Sequence, residues 1–477
     1  MSAEFEQRLS EVLARAIPDF EALQSAERLS GGASQETYRL QVQAGGNLQT
    51  LAMRRAPGGE IVEPTPGHPG LAVEAKLMQC AAAAGVPEPE VYHVLAPQDG
   101  LGDGFIMQWL DGVALGARVV RSPELEQIRP KLAYLCGEAL GRIHSIDLQS
   151  TGLHADLDVI APADYVEQTW QRYRDFPTAQ PMIDYAGRWL LENMPSDFTP
   201  ALVHNDFRNG NIMFSESGIV AVLDWEVAHI GDPMRDLGWI CTNSWRFGRT
   251  DLPVGGFGSY ADLFAGYEAS SGQRVDPERV KFWEVFGSFW WAIGCLGMAE
   301  HYRTGPDKTV ERPAIGRRSS ECQVDCVNLL IPGPVQAPDT DAGSASTDMP
   351  SVDELLISVR DFLRDDVMAA TEGRINFLAR VAGNSLDIVL RDQQLGATQR
   401  DTEWSRLKAL FGDTEATLDD LRWRLVETLR DGSQSLDNAD LQAHLRQTVV
   451  DQVAIDQPRY SGLATALSTG HTTGAAG

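Results

Sequence analysis

Leu202-Val203-His204-Asn205-Asp206-Phe207-Arg208-Asn209-Gly210-Asn211-Ile212-Met213-Phe214 is the stretch on which the reading of this chain turns. An apolar run leads into His-x-Asp, four residues separate that Asp from an Asn, and a second apolar run follows. Thirteen residues beyond Asn211, the run Ile219-Val220-Ala221-Val222-Leu223 ends in Asp224. Short apolar, β-branched runs at 201–203, 211–214 and 219–223 read as strands, so the polar residues fall at loop tips beside them. Asp and Asn also form turns, but three such runs delivering Asp206, Asn211 and Asp224 in order point to a site.

Phosphoryl transfer needs groups of these types. A carboxylate must orient an acceptor hydroxyl and take its proton, the role for Asp206. Hard oxygen ligands must hold magnesium on the nucleotide phosphates, and Asn211 with Asp224 supplies them. Arg208, two positions past Asp206, can set a cation beside the γ-phosphate. His204 stands among the catalytic candidates, and its reading is a brace for the loop backbone. Next comes Gly231-Asp232-Pro233-x-x-Asp236-Leu237. Asp232 reads as a helix N-cap before Pro233, and Asp236 can hydrogen-bond back to the 204–211 loop from the first turns of that helix.

Away from this stretch the chain has 477 residues, 43% hydrophobic and 22% charged, with a formal charge of −27. Such a length predicts two or three domains with sizeable cores and excludes a small disulfide scaffold. An acidic chain without a basic stripe argues against nucleic acid as the main partner. No apolar run reaches the length of a membrane span, the start lacks a signal-peptide layout, and the six cysteines are scattered, so the expected location is cytoplasmic. The Pro-, Gly-, Ser- and Asp-rich segment 332–350 reads as a linker. Before it, Glu36–Val42, Thr50–Arg55, Val91–Leu95 and Phe105–Leu110 read as strands and Leu71–Ala84 as a helix, whereas 124–331 is mainly helical. After it, Asp353–Met368, Arg374–Leu390, Leu418–Arg430 and Ala439–Val453 read as helices, and 461–477 as a disordered tail. The expected fold is therefore α+β and bilobal, with an antiparallel-sheet N-lobe (about 20–110), a mainly helical C-lobe (about 111–331), and a separate all-α domain at 351–460.

Other patterns carry less. Gly256-x-Gly258-x-x-Ala261 fits a dinucleotide fingerprint but follows no buried strand. No G-x-x-x-x-G-K-[ST], H-E-x-x-H or G-x-S-x-G occurs, which excludes a P-loop enzyme and weakens zinc-peptidase and α/β-hydrolase readings. Cys322 and Cys326 read as buried thiols. The aromatics after Asp236 read mostly as core, with Arg246, Arg249 and Arg303 as candidate anchors for an anionic acceptor.

The joined motifs at His204–Asn211, Asp224-Trp225-Glu226 and Gly231–Leu237 resemble the aminoglycoside phosphotransferase/choline kinase family, relatives of the protein kinases. The likeness extends over roughly residues 20–330 and implies ATP and Mg2+ as cofactors. By position it places Gly31, Gly32 and Ser34 in the loop over the nucleotide phosphates. Arg54 falls where the family has a phosphate-binding lysine, with Glu74 as its helix partner. Backbone groups of Gln108 and Leu110 would meet the adenine edge. Asn205 stands where Gly is more frequent.

Arg54-Arg55-x-Pro57, the His68…Glu74 segment and Asp224-Trp225-Glu226 resemble the branch of this family joined to, or found beside, acyl-CoA dehydrogenases. That branch implies phosphorylation of a hydroxyacyl-CoA in acyl and keto acid catabolism. It also implies a helical accessory domain at 351–460, and a homo-oligomer or an acyl-CoA dehydrogenase as partner. An aminoglycoside-type or choline-like acceptor remains open, since an acidic surface suits a polycation. A pseudokinase scaffold also remains open, although the intact Asp206, Asn211 and Asp224 argue against it.

Overall fold

Glu36–Ala44 alternates, with Tyr38, Leu40, Val42 and Ala44 buried on one face, which is what a strand covered on one side requires. It turns into Asn47–Arg55 through Gly45-Gly46, whose φ angles of 55° and 76° form a two-residue hairpin that favours glycine at both positions. In this computed structural model, which describes residues 3–29, 35–196, 198–338, 349–412 and 415–469, the hairpin belongs to a five-stranded antiparallel sheet. Its strands are β1 (Phe20–Arg28), β2 (Glu36–Ala44), β3 (Asn47–Arg55), β4 (Val91–Val94) and β5 (Gly104–Gln108), in the order β1-β2-β3-β5-β4. All four runs expected before residue 111 are strands here. The helix Ala3–Ala16 covers one face, adding Leu9, Val12 and Leu13 to the core of Tyr38, Leu40, Val42, Leu51, Met53 and Ile106. Leu71–Ala83 is the expected helix, ending at the Gly85 break.

Further along lie two two-stranded ribbons. β6 (Ala201–Val203) pairs with β9 (His229–Gly231), and β7 (Ile212–Ser215) pairs with β8 (Gly218–Val222). Helices Leu132–His144 and Tyr260–Ser271 touch backbone to backbone. A Cβ on Gly137 would lie 2.1 Å from the Leu263 carbonyl oxygen, and one on Gly266 would lie 2.0 Å from that of Tyr134. These elements belong to one compact unit, Met1–Ala161 with Ser196–Trp283.

The second unit joins Pro162–Pro195 to the chain from Glu284 onward. Its helices include Pro162–Arg174, Pro181–Glu192, Ser319–Leu330, Val352–Asp361, Gly373–Phe411, Leu418–Arg430 and Ala439–Asp456. The stretch expected to be helical over 374–390 runs on to Phe411. Asp184, buried in this unit, accepts hydrogen bonds from Trp170 Nε1 (2.9 Å), the Tyr173 hydroxyl (2.9 Å) and Arg430 Nε (2.7 Å). Of the expected linker, 339–348 lies outside the described residues. The expected disordered tail, 461–477, is corrected over its first part: Ser461–Thr469 is a helix, with Leu463 and Ala466 buried, while 470–477 lies outside the described residues. Tertiary packing orders it, since Tyr460 donates to Asp325 (2.6 Å) and Asn328 donates to the Gly462 carbonyl (2.9 Å). Among the described residues, no helix is long and apolar enough to cross a membrane.

The glycine crossing predicts that Gly137→Ala lowers the unfolding free energy by about 2 kcal/mol, because the two helices must part to admit a methyl group. Urea denaturation of the two proteins measures the difference, and coincident curves would contradict this account of the crossing.

Candidate active site

β6 and β7, each tied to its ribbon partner, hold the two ends of loop 204–211. Inside the loop, the Asp206 carboxylate is surrounded by donors. Oδ1 accepts from Trp239 Nε1 (2.8 Å) and Arg208 Nε (2.9 Å); Oδ2 accepts from Asn211 Nδ2 (2.6 Å) and Arg208 Nη2 (3.1 Å). The two-point Arg208 contact is the forked geometry that suits a guanidinium and an ionised carboxylate. Arg208 also stacks 4.3 Å over the Trp245 ring, which fixes its plane.

The loop backbone is held from below by Asp236, on the helix Met234–Cys241. Its Oδ2 accepts the His204 N–H (2.8 Å), its Oδ1 accepts the Asn205 N–H (2.7 Å), and His144 Nε2 lies 3.0 Å from Oδ2. Burial alone would raise the Asp236 pKa, but hydrogen bonding from His144, the nearby imidazoles and the His204 N–H outweigh it and hold the carboxyl below the usual range. Asn205 sits at φ 69°, a left-handed conformation that Asn tolerates better than most residues. His204 Nδ1 accepts the Asp206 N–H (3.2 Å), so the ring proton belongs on Nε2, which faces the Leu223 carbonyl at 3.1 Å. Burial lowers the His204 pKa, so the ring is a neutral brace between the loop and the residue before Asp224. Asp232 accepts from the Met234 N–H (3.0 Å), Arg279 Nη2 (2.5 Å) and Trp283 Nε1 (2.8 Å), which anchors the start of that helix.

Asp224 also sits at a left-handed φ, 73°, and Leu223 donates its N–H to the Asn211 carbonyl at 2.7 Å. Asn211 Nδ2 donates to both the carbonyl and the carboxylate of Asp206, and this network sets the orientation of its amide. Arg54, at the end of β3, reaches three groups. Nη1 lies 2.8 Å from Glu74 Oε1, Nη2 2.9 Å from Asp224 Oδ1, and Nε 2.8 Å from Gln35 Oε1. Gln35 in turn donates to Glu226 (3.2 Å). Glu74 is 1% exposed. Burial pushes its carboxyl up to about 7, against the pull of Arg54 and with the push of Asp224 and Glu226.

The structure thus brings His204, Asp206, Arg208, Asn211, Asp224, Arg54 and Glu74 together. Gln108 closes β5 and donates its N–H to the Glu90 carbonyl (2.8 Å), and Leu110 follows two residues on. Gly31, Gly32 and Ser34 lie outside the described residues. Arg246 is committed to the Cys241 and Pro253 carbonyls, and Arg249 to Asp251. Trp239, Trp245, His144 and Gln35 were not among the expected site residues. Trp239 was legible, because it stands three positions after Asp236 on one helix and so shares its face. Gly256–Ala261 leads into the helix Tyr260–Ser271 with no buried strand before it. Cys322 and Cys326 are buried thiols, and among the described residues no cluster of His, Cys, Asp or Glu forms a metal cage.

An antiparallel sheet whose Arg54 pairs with Glu74 of the helix Leu71–Ala83 and with Asp224 is the arrangement of a kinase-type phosphotransferase. A solved structure from Ralstonia eutropha JMP134, named as a candidate aminoglycoside phosphotransferase, shares the fold. It is 23% identical with a TM-score of 0.53, over 66% of this chain and 95% of that one. The chain belongs to the phosphotransferase enzyme family (APH), whose model matches residues 25–281. Residues 369–460 match a domain of unknown function, DUF6285. Curated relatives include acyl-CoA dehydrogenase family member 11 of Gallus gallus, 31% identical over 264 residues, and family member 10 of Mus musculus, 31% over 219. Family member 11 of Homo sapiens is 24% identical over 400 residues. The matches cover 53%, 44% and 77% of this chain but only 32%, 19% and 48% of those proteins.

A buried carboxyl with a raised pKa stabilises the fold fully below its unfolded value of 4.5 and loses that contribution as pH rises through about 7. Relative to Glu74→Gln, the wild type should therefore lose up to about 3 kcal/mol of unfolding free energy between pH 4.5 and 8. Urea titrations across that range measure it, and parallel pH profiles would show that Glu74 is charged throughout.

Proposed function

We propose that this chain transfers the γ-phosphate of ATP to the hydroxyl of a hydroxyacyl-CoA. The observation that carries the reading is the placement of Asp206, Asn211 and Asp224 on one loop system beside Arg54 and Glu74. In the proposed reaction Asp206 accepts a hydrogen bond from the acceptor hydroxyl and takes its proton. The hydroxyl oxygen then bonds to the γ-phosphorus while the bond to the β,γ-bridging oxygen breaks, and ADP leaves with the electron pair. Four donors already occupy the Asp206 oxygens, so the forked Arg208 contact must yield as the substrate enters, freeing a cation for the phosphate. Asn211 Oδ1 and Asp224 are all-oxygen donors and fit Mg2+. A cation held there would neutralise charge on the nucleotide phosphates. Arg54, holding Glu74 with one nitrogen and Asp224 with another, sets the spacing between β3 and Asp224 and presents a guanidinium where the family has a lysine.

The acceptor class draws its support from the names of the relatives and from the sequence likeness to the branch that accompanies acyl-CoA dehydrogenases. A second reading, an aminoglycoside-like polycation as acceptor, draws support from the net charge of −27. Residues 351–460 are proposed as an accessory domain of the same enzyme.

Two measurements test this. With ATP and Mg2+, coupled ADP release should be faster with a 4-hydroxyacyl-CoA than with any aminoglycoside; the reverse ranking would hand the acceptor to the second reading. Asp206→Ala should lower kcat by about 10²–10⁴-fold with its melting profile retained. A folded variant with unchanged turnover would remove Asp206 as the base.

A further inference from the structure

After the linker, the second unit carries a helical hairpin. Val352–Asp361 continues through a π-helical stretch, Phe362–Val367, to Ala370, and the chain reverses at Gly373 (φ 59°) into the helix Gly373–Phe411. Not one residue of Val352–Ala370 is buried, although helices in folded proteins draw most of their stability from a covered apolar face. The apolar face exists. Val352, Leu355, Val359 and Phe362 recur at alternating spacings of three and four, the seam of a heptad pattern. On the returning helix, Ile375 and Val389 stand two heptads apart. All six side chains belong to residues between 43% and 56% exposed.

Ion pairs fix the sides of the two helices on which these residues stand. Arg360 Nη1 lies 3.2 Å from Asp387 Oδ1, and Arg364 Nη2 lies 2.5 Å from Asp387 Oδ2 and 3.2 Å from Asn384 Oδ1. At about 100° per residue, these polar groups stand a third of a turn or more from the middle of the apolar stripe on each helix. The charged rungs therefore close one side of the antiparallel hairpin, and the six apolar side chains share the other. The segments outside the described residues, 1–2, 30–34, 197, 339–348, 413–414 and 470–477, hold no Val, Leu, Ile, Phe, Tyr or Trp, so they bring nothing apolar of that size to cover it. Residues 352–392 carry five Arg against eight Asp and Glu, with no Lys, which is the wrong balance for an anionic membrane surface.

We infer that this face is an interface with a second copy of the chain, the two hairpins packing across a two-fold axis to complete a four-helix bundle. Six half-exposed side chains of this size leave about 500 Å² of apolar surface, at the upper end of what a monomer shows. Two copies meeting there cover about 1,000 Å² before any rim contributes, the size a specific interface needs. A second copy brings an apolar stripe of the same length and heptad spacing, and a two-fold axis lays each stripe on its equal. The inference is independent of the proposed reaction, since none of the six residues lies within the family match at 25–281.

Analytical ultracentrifugation of the full chain tests this. A species of twice the chain mass should form with a dissociation constant of about 1 μM or tighter. Leu355→Glu and Ile375→Glu, both at exposed positions, should each weaken it at least about 100-fold with helix content retained. Ile357→Glu, off the stripe on the same helix, should leave the dimer intact. Hydrogen exchange gives a second readout that needs no variant: amides of 352–370 should slow as protein concentration rises. A chain still monomeric at about 100 μM, a dimer untouched by both stripe variants or broken equally by Ile357→Glu, or exchange at 352–370 that ignores concentration would each overturn the assignment. Monomeric chain that binds phosphatidylglycerol vesicles, and loses that binding in Leu355→Glu, would also overturn it by handing the face to lipid.

Discussion

One buried carboxylate, that of Asp236, sets the geometry of the 204–211 loop. It takes the N–H groups of His204 and Asn205 at once, and Asn205 can present its N–H there because its backbone is left-handed. Everything downstream inherits this constraint. With His204 fixed, its imidazole links the Asp206 N–H to the Leu223 carbonyl, and Leu223 immediately precedes Asp224. Base and metal-ligand candidates on separate strand ends are thereby registered through one neutral ring. Removing Asp236 would leave two buried N–H groups unpaired and allow the His-x-Asp turn to relax, so its importance exceeds that of a single hydrogen bond.

Arg54 makes the complementary connection from the sheet. A lysine ammonium is one point charge, whereas the guanidinium faces Gln35, Glu74 and Asp224 with separate nitrogens at fixed angles. One cation therefore serves two carboxylates. That division explains why Glu74 remains hard to ionise despite its partner: burial dominates, and Asp224 and Glu226 share the same neighbourhood.

The parts legible in the sequence are those where one local rule governs. The 204–211 loop stands between apolar runs, the β2–β3 hairpin alternates with a Gly-Gly turn, and the 71–83 helix stops at Gly85. β1 carries no readable alternation, because irregularities between Phe20 and Ala22 and between Leu23 and Ser25 break it. The helix Ser461–Thr469 is built from small and polar residues that read as a frayed end, and only its packing near Asp325 and Asn328 makes it a helix. Trp239 stands in a run of core aromatics, yet its spacing from Asp236 puts it on the face that meets Asp206.

The pairing of Asp184 with Arg430 joins residues 246 positions apart. Helices 162–174 and 181–192 leave a ribosome long before the segment that neutralises their buried carboxylate has been made. At roughly 5–20 residues per second the delay is about 12–50 s. Throughout that interval Asp184 lacks its guanidinium partner, so the packing of helices 162–174 and 181–192 is completed only once the 418–430 helix has emerged.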